Sequence, residues 1–308
     1  MSRCLALISD QAGGTNIGHH VVKALAEKPD LFNVSIIARK SSKSNFPAGV
    51  KLHYVDDEIP HDQLVAALKG QDALISAIGF GAIDLEEKLI DAAIEAKVYR
   101  FLPSEYGVNN TNPVARALCP VFDSKGKVVE YLKTKESKGL TWTAVPTGLW
   151  LDWTLEPAIS FANINIKTHT ATLWLDGTHK LSWSTLPWSA EGIAQILLNP
   201  GKTANKVVPL HGFLASQNEI IALFEKLQNT KYDISRFEGK ELISTAQQSW
   251  ADNKDVKSAL DLVKAGFFLD GYGSDFIHEG ITQNGNEFLQ LPTLSFEDIV
   301  QKAVEQWA

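Results

Sequence analysis

Two groups of residues near the start of the chain have the types and spacing to hold phosphate. The first is Ser9-Asp10-Gln11-Ala12-Gly13-Gly14-Thr15-Asn16-Ile17-Gly18. Glycines between a strand and a helix let the backbone approach a pyrophosphate, and the opening turn of the helix presents free N–H donors to it. The spacing departs from G-x-G-x-x-G. Counted back from Gly18, Thr15 and Ala12 hold the other glycine positions, and Gly13 and Gly14 fall out of register. Asp10 also sets a negative charge in the loop, so by itself the segment serves equally as an anion cradle or as a tight turn. The second group decides between the two. Roughly twenty residues on, Arg39-Lys40-Ser41-Ser42-Lys43 stands where an NAD site carries an acid for the ribose hydroxyls. Cations and hydroxyls there suit the 2′-phosphate of NADP, with Arg39 able to bind it through its planar fork. NADP(H) therefore ranks ahead of a solvated basic loop. The expected contacts are Gln11, Gly13, Gly14, Asn16 and Ile17 from the first group and Arg39, Lys40 and Ser41 from the second. His19-His20 adjoin the loop, but no Cys, Asp or Glu completes a ligand set, so no metal site is expected.

The elements that must position these groups alternate in period. Cys4–Ile8 is a short apolar run that reads as a strand buried on both faces, and Val34–Ala38, Leu52–Val55, Ala73–Ile78, Val98–Leu102 and Thr141–Val145 read as further strands. Between them, Ile17–Glu27, Gln63–Leu68, Leu85–Ala96 and Phe122–Ser137 carry helical spacing. This alternation predicts an α/β fold with a doubly wound parallel sheet, of the NAD(P)-binding Rossmann type, over residues 1–153. Ligands of such sheets bind beyond the carboxyl ends of the strands, at loops 9–18, 39–45, 79–83, 103–110 and 146–153. From about residue 155 the rhythm changes. Thr170–Leu175, Asp176-Gly177 and Lys180–Trp183 read as a hairpin, which would set Trp174 and Trp183 on one face if the loop is even in length. Helices at 190–198, 218–228, 255–265 and 295–305 follow, the last opened by Ser295 as N-cap. Residues 154–308 are expected to form a smaller α+β substrate-binding region packed on the first.

Composition bounds the classes. The 308 residues carry 29 Lys+Arg against 36 Asp+Glu, a formal net charge of −7, which disfavours nucleic acid as a bulk partner. At 44% apolar residues the chain is not disordered. No run approaches the roughly 18 apolar residues of a membrane span, and the apolar stretch after Arg3 is too short for a signal peptide. Two cysteines, Cys4 and Cys119, build no disulfide framework and suit a reducing, cytoplasmic setting.

Arg100-Phe101-Leu102-Pro103-Ser104-Glu105-Tyr106-Gly107 is the most specific string in the chain. It resembles the RF-(L/I/F)-PSE-(F/Y)-G signature of the isoflavone reductase-like and NmrA-like proteins, which are atypical short-chain dehydrogenases. Asn16-Ile17-Gly18, Gly70–Ser76, Leu89–Ala93, Val145–Trp150, Asp176-Gly177 and Asn218-Glu219-Ile220 fall where relatives carry similar pieces, so the resemblance runs from about residue 4 to 305. It implies an NADP-binding Rossmann domain, a smaller C-terminal domain and a substrate cleft between them. The cofactor contacts it implies extend to Ala77, Gly79, Pro103, Ser104, Glu105, Pro146 and Gly148. The family's catalytic lysine lies three residues after a Phe that opens the helix following the signature. Phe122-Asp123-Ser124-Lys125 fits, which implies that Lys125 is the general acid/base and also touches the cofactor. A partly desolvated lysine has a lowered pKa and can exchange a proton near neutrality. Tyr131-Leu132-Lys133-Thr134-Lys135 imitates the Y-x-x-x-K pair of ordinary short-chain dehydrogenases. Six residues at about 100° each turn Tyr131 to another face, so Tyr131 and Lys135 read as structural or surface residues.

Five of the eight tryptophans, Trp150, Trp153, Trp174, Trp183 and Trp188, fall within 39 residues. Some must be core, but the cluster leans towards a flat aromatic ligand, with Tyr106, Trp150, Trp153 and Trp174 as substrate contacts. The expected function is NADPH-dependent reduction of an aromatic or heteroaromatic small molecule of secondary-metabolite type, by a monomer or homodimer. Two alternatives stay open: a non-redox rearrangement or cyclisation on the same cofactor, and an NmrA-like dinucleotide sensor without turnover.

Overall fold

A short apolar run such as Ala73–Ser76, buried at every residue, suits a strand covered on both faces, whereas Lys51–Val55 at the sheet edge buries only Val55. The computed structural model describes residues 3–8, 17–79, 82–157, 159–237, 239–279 and 285–308. In chain order the elements begin β1 (Arg3–Ile8), α1 (Ile17–Ala26), β2 (Phe32–Arg39), β3 (Lys51–Val55), α2 (His61–Leu68), β4 (Ala73–Ser76), α3 (Leu85–Glu95) and β5 (Arg100–Leu102). They continue as α4 (Pro113–Leu118), α5 (Pro120–Lys135), β6 (Thr141–Ala144), β7 (Leu149–Trp150), α6 (Leu151–Thr154), β8 (Ile164–Asn165), β9 (Thr170–Trp174) and β10 (Lys180–Ser184). The rest are α7 (Leu186–Leu198), α8 (Pro200–Thr203), β11 (Lys206–Val207), β12 (Phe213–Ser216), α9 (Gln217–Gln228), β13 (Asp233–Phe237), α10 (Lys240–Asn253), α11 (Val256–Phe268), α12 (Gly285–Leu289) and α13 (Phe296–Trp307).

The chain divides into two units. The first comprises Met1–Glu105, Ser124–Val145 and Leu186–Val208. It is built on a seven-stranded sheet ordered β11-β6-β5-β4-β1-β2-β3, with every neighbouring pair parallel. The strand order reverses between β1 and β4, which makes this a doubly wound, Rossmann-type sheet. On one face Ile8, Ile37, Leu74, Phe101 and Trp142 pack with Leu64 and Leu68 of α2, Leu89, Ile90 and Ala93 of α3, and Val128, Val129 and Leu132 of α5. The alternate strand residues Leu7, Ile36, Ile75 and Leu102 are equally buried and point the other way. There α1, with Val21, Val22 and Leu25 inward, packs against β1, β2 and α7. The chain thus passes between units at more places than one division at residue 153 provides for. The physical reason is that β11 completes the sheet beside β6 and α7 covers α1.

Arg100 explains its own place in the Arg-Phe-Leu-Pro-Ser-Glu string. It is 2% exposed and makes no ion pair with a carboxylate among the described residues. Its guanidinium instead donates to Thr141 Oγ1 (3.0 Å), Thr143 Oγ1 (2.6 Å), Thr203 Oγ1 (3.1 Å) and the Pro200 carbonyl (2.7 Å), joining β5 to β6 and α8.

The second unit comprises Tyr106–Asp123, Pro146–Thr185 and Pro209–Ala308. It holds two three-stranded sheets, β12-β10-β7 and β13-β9-β8, with helices. The hairpin expected at Asp176-Gly177 is a turn without a hairpin. Asp176 Oδ1 accepts from the Thr178 N–H and hydroxyl, and Gly177 takes φ +73°, but β9 pairs in parallel with β13 and β10 pairs with β12. Trp174 and Trp183 still converge, because each ring lies 6.3 Å from that of Phe268. Gly148 is required by space and by conformation: at φ +66° a Cβ would stand 2.1 Å from the Ser182 carbonyl oxygen. Among the described residues no helix is long and apolar enough to cross a membrane, and no cluster of three or more His, Cys, Asp or Glu could hold a metal.

Candidate functional site

In a doubly wound parallel sheet ligands bind beyond the carboxyl ends of the strands. β2 ends at Arg39, β4 runs into Ala77-Ile78-Gly79, β5 into Pro103-Ser104-Glu105. The loop after β1, with Gln11, Gly13, Gly14 and Asn16, lies outside the described residues. Ile17 opens α1 with its side chain in the core at 5% exposed, so only its backbone is available to a ligand.

At the end of β2 the three basic-loop candidates separate. Arg39 is half-buried and makes no ion pair or hydrogen bond through its guanidinium among the described residues. Lys40 is exposed and ion-paired with Asp56 at 2.5 Å, which raises its pKa and lowers that of the acid. Ser41 donates its N–H to Asp57 Oδ1 at 3.1 Å. Two carboxylates that follow β3 therefore engage Lys40 and Ser41 of the basic loop.

The ends of β4 and β5 are tied together. Ala77 donates to the Ile8 carbonyl (2.9 Å), and Ser104 Oγ donates to the Ile78 carbonyl (2.7 Å). Below them lies a residue that sequence reasoning missed. Glu86, on the first turn of α3, is fully buried, and its Oε1 accepts from Ser76 Oγ (2.8 Å) and from the Ser104 N–H (3.0 Å). Its Oε2 is buried without a partner among the described residues. Burial pushes this carboxyl up to about 7; the Ser104 and Ser76 hydrogen bonds and the Lys125 charge pull the other way. A signal for it existed: Glu86, Leu89, Ile90 and Ala93 share the i, i+3, i+4, i+7 stripe that α3 buries.

Lys125 reaches this corner from α5. Its ammonium donates to the carbonyls of Ser104 (2.5 Å) and Glu105 (3.0 Å). Burial lowers its pKa, while Glu105 and Glu86 oppose that. The structure therefore gathers Ala77, Gly79, Pro103, Ser104, Glu105 and Lys125 in one region of the first unit. Tyr131 and Lys135, roughly two and three turns further along α5, are engaged elsewhere. The Tyr131 hydroxyl and the Lys135 ammonium both meet Asp91 at 2.9 Å, and the ammonium lies 4.3 Å over the tyrosine ring.

The remaining candidates belong to the second unit. Pro146 accepts the Leu210 N–H, Gly148 donates to the Gly107 carbonyl, and Tyr106 is buried. Trp150 and Trp153 are half-buried with rings edge to face at 6.2 Å, and Trp153 continues onto Phe161 at 5.3 Å. Trp174 is 2% exposed and packs between Phe237 and Phe268 in the core of the second unit. Trp183 is likewise buried, as is Trp188 on α7 of the first unit. Of the five, Trp150 and Trp153 keep partial exposure.

The model of the NmrA-like family matches residues 11–294. The oxidoreductase aprR of Aspergillus flavus is 34% identical over 290 residues, 94% of this chain and 95% of its own. The crystal structure of isoflavone reductase superposes with a TM-score of 0.76 at 21% identity, covering 100% of both chains. The binary complex of leucoanthocyanidin reductase with NADPH from Vitis vinifera gives a TM-score of 0.78 at 18% identity, over 98% of this chain and 99% of that one. The chain belongs to the NmrA-like family, with the fold of the isoflavone reductase-like proteins.

Proposed function

We propose that this chain is an NADP(H)-dependent reductase of an aromatic or heteroaromatic small molecule of secondary-metabolite type, with Lys125 exchanging the proton. The observation that carries this reading is the Lys125 ammonium, partly desolvated and held by two backbone carbonyls at the carboxyl edge of the sheet. Free lysine holds its proton too tightly to exchange it readily at neutral pH. Desolvation weakens that hold, and the two carbonyls fix the direction in which the amine points.

The residues fit NADP(H). Arg39, at the end of β2, has no acid partner for its guanidinium among the described residues, and this is the position that discriminates a 2′-phosphate. The loops after β4 and β5 supply Ala77, Gly79, Pro103, Ser104 and Glu105 as further contacts, and Pro146 and Gly148 are proposed from the second unit. NADPH, when bound, supplies a hydride. Lys125 then gives a proton to the substrate oxygen or nitrogen that gains charge, or takes one in the reverse direction. Trp150 and Trp153, half-buried and edge to face, are the aromatic surface on which a flat substrate would lie. The name of the Aspergillus flavus relative and the NADPH complex of the same fold support an oxidoreductase.

The test mixes the protein with NADPH and a panel of aromatic enones, quinone methides and iminium compounds. Loss of absorbance near the nicotinamide band at about 340 nm is expected with at least one class. Tight NADPH binding with no absorbance loss across the panel would overturn the reductase reading.

A further inference from the structure

A carboxyl group buried under a proton-transferring lysine is costly unless it is held and balanced. Glu86 is held on one oxygen only. Its Oε1 takes two hydrogen bonds, from Ser76 at the end of β4 and from the Ser104 N–H after β5, and its Oε2 has no partner among the described residues. The Ser104 peptide that Glu86 grips by its nitrogen carries one step later the carbonyl that receives the Lys125 ammonium. Ser104 Oγ is fixed in turn on the Ile78 carbonyl. The charged groups that face Glu86 are Lys125 of α5 and Glu105 of the loop after β5. Glu86 lies on the opening turn of α3, where the helix dipole favours its negative form.

We propose that Glu86 is the positioning residue of Lys125: it clamps the carbonyl cradle through Ser104, and its buried charge governs whether the amine keeps its proton. With Glu86 ionised the ammonium has a counter-charge inside the protein. With Glu86 protonated the ammonium loses it and releases its proton more easily. The two groups then titrate as a coupled pair, and the coupling acts equally in both directions. This inference gives a further role inside the site whose function is proposed above, and its test needs no substrate or cofactor.

The experiment follows the full-length protein by carbon-13 NMR, with label at glutamate Cδ and lysine Cε, across pH 4 to 11 (roughly the range of both groups). Glu86→Gln removes the charge but keeps an acceptor for Ser76 and Ser104, and identifies the Glu86 signal by its loss. The Lys125 midpoint is expected to fall by about one pH unit in this variant. Lys125→Met tests the reverse direction in a chain that retains Glu86, and the Glu86 midpoint is expected to rise by a similar amount. In the wild type the Glu86 signal should titrate well above the other glutamates. An unmoved Lys125 midpoint in Glu86→Gln, or an unmoved Glu86 midpoint in Lys125→Met, would overturn the proposal. If Glu86→Gln does not fold, the Lys125→Met titration decides alone. Coupling without reductase activity would retire the function and keep the pair; activity without coupling would do the opposite.

Discussion

The Lys125 ammonium lies 2.5 Å from the Ser104 carbonyl, so the proposed proton donor is aimed by the backbone of the chain's most specific motif. Replacing it with alanine removes the proton donor and leaves the strand-end loops otherwise intact. Lys125→Ala is expected to lower turnover by roughly 10²–10⁴-fold while NADPH still binds. Steady-state kinetics and fluorescence titration of NADPH read the two effects separately. Normal turnover would remove the assignment.

Arg39 and Lys40 are adjacent in sequence but not equivalent. Only Lys40 is already committed to an acid, Asp56. Arg39→Ala is expected to weaken NADPH by roughly 10- to 100-fold, the loss of a charge-assisted contact, and NADH much less. Lys40→Ala should give a smaller loss. Calorimetric titration with both nucleotides checks this, and an equal loss for both would exclude a 2′-phosphate at Arg39.

Arg100 is a structural charge. Arg100→Met strands the Pro200 carbonyl and removes three contacts to threonine hydroxyls. A loss of roughly 2–4 kcal/mol is expected, measured by urea unfolding. An unchanged midpoint would show that these bonds are replaced without cost.

Glu86 makes stability depend on pH. Its folded pKa, about 7, lies above the ordinary 4.5, so the folded state binds the extra proton between these values. The stabilising contribution is fully present below about pH 4.5 and is lost as pH rises through about 7, by roughly 3 kcal/mol in all. Glu86→Gln should flatten this segment of the profile. Urea unfolding at pH 5 and pH 8 compares the two proteins, and parallel profiles would refute the assignment.

How far the sequence reveals these features depends on whether the cause is local. β1, β2 and β4 are legible because short, mainly apolar runs closed by turn residues suit a strand covered on both faces. Asp176-Gly177 misleads because turn residues are local while pairing is not. β9 finds β13 some sixty residues on, and nothing at the turn encodes that partner. The helix at Lys240–Asn253 escapes because its apolar stripe, Leu242, Ile243, Ala246 and Trp250, is sparse and buries only Ala246. Trp174 and Trp150 look alike in sequence, yet Phe237 and Phe268 enclose one and leave the other partly open. Glu86 was hidden by its type, since an acid on a buried stripe is readily taken for a solvated helix start.

The membership of β11 and α7 in the first unit bears on how the protein is made. A ribosome that has released residues 1–153 has delivered six strands, but the outer edge of β6 still has no neighbour and Val21, Val22 and Leu25 still lack α7. An unpaired strand edge beside uncovered apolar surface invites pairing with other chains. The nucleotide-binding half therefore cannot close until residue 208 has emerged. A fragment ending near 153 should aggregate, whatever its resemblance to a free-standing domain.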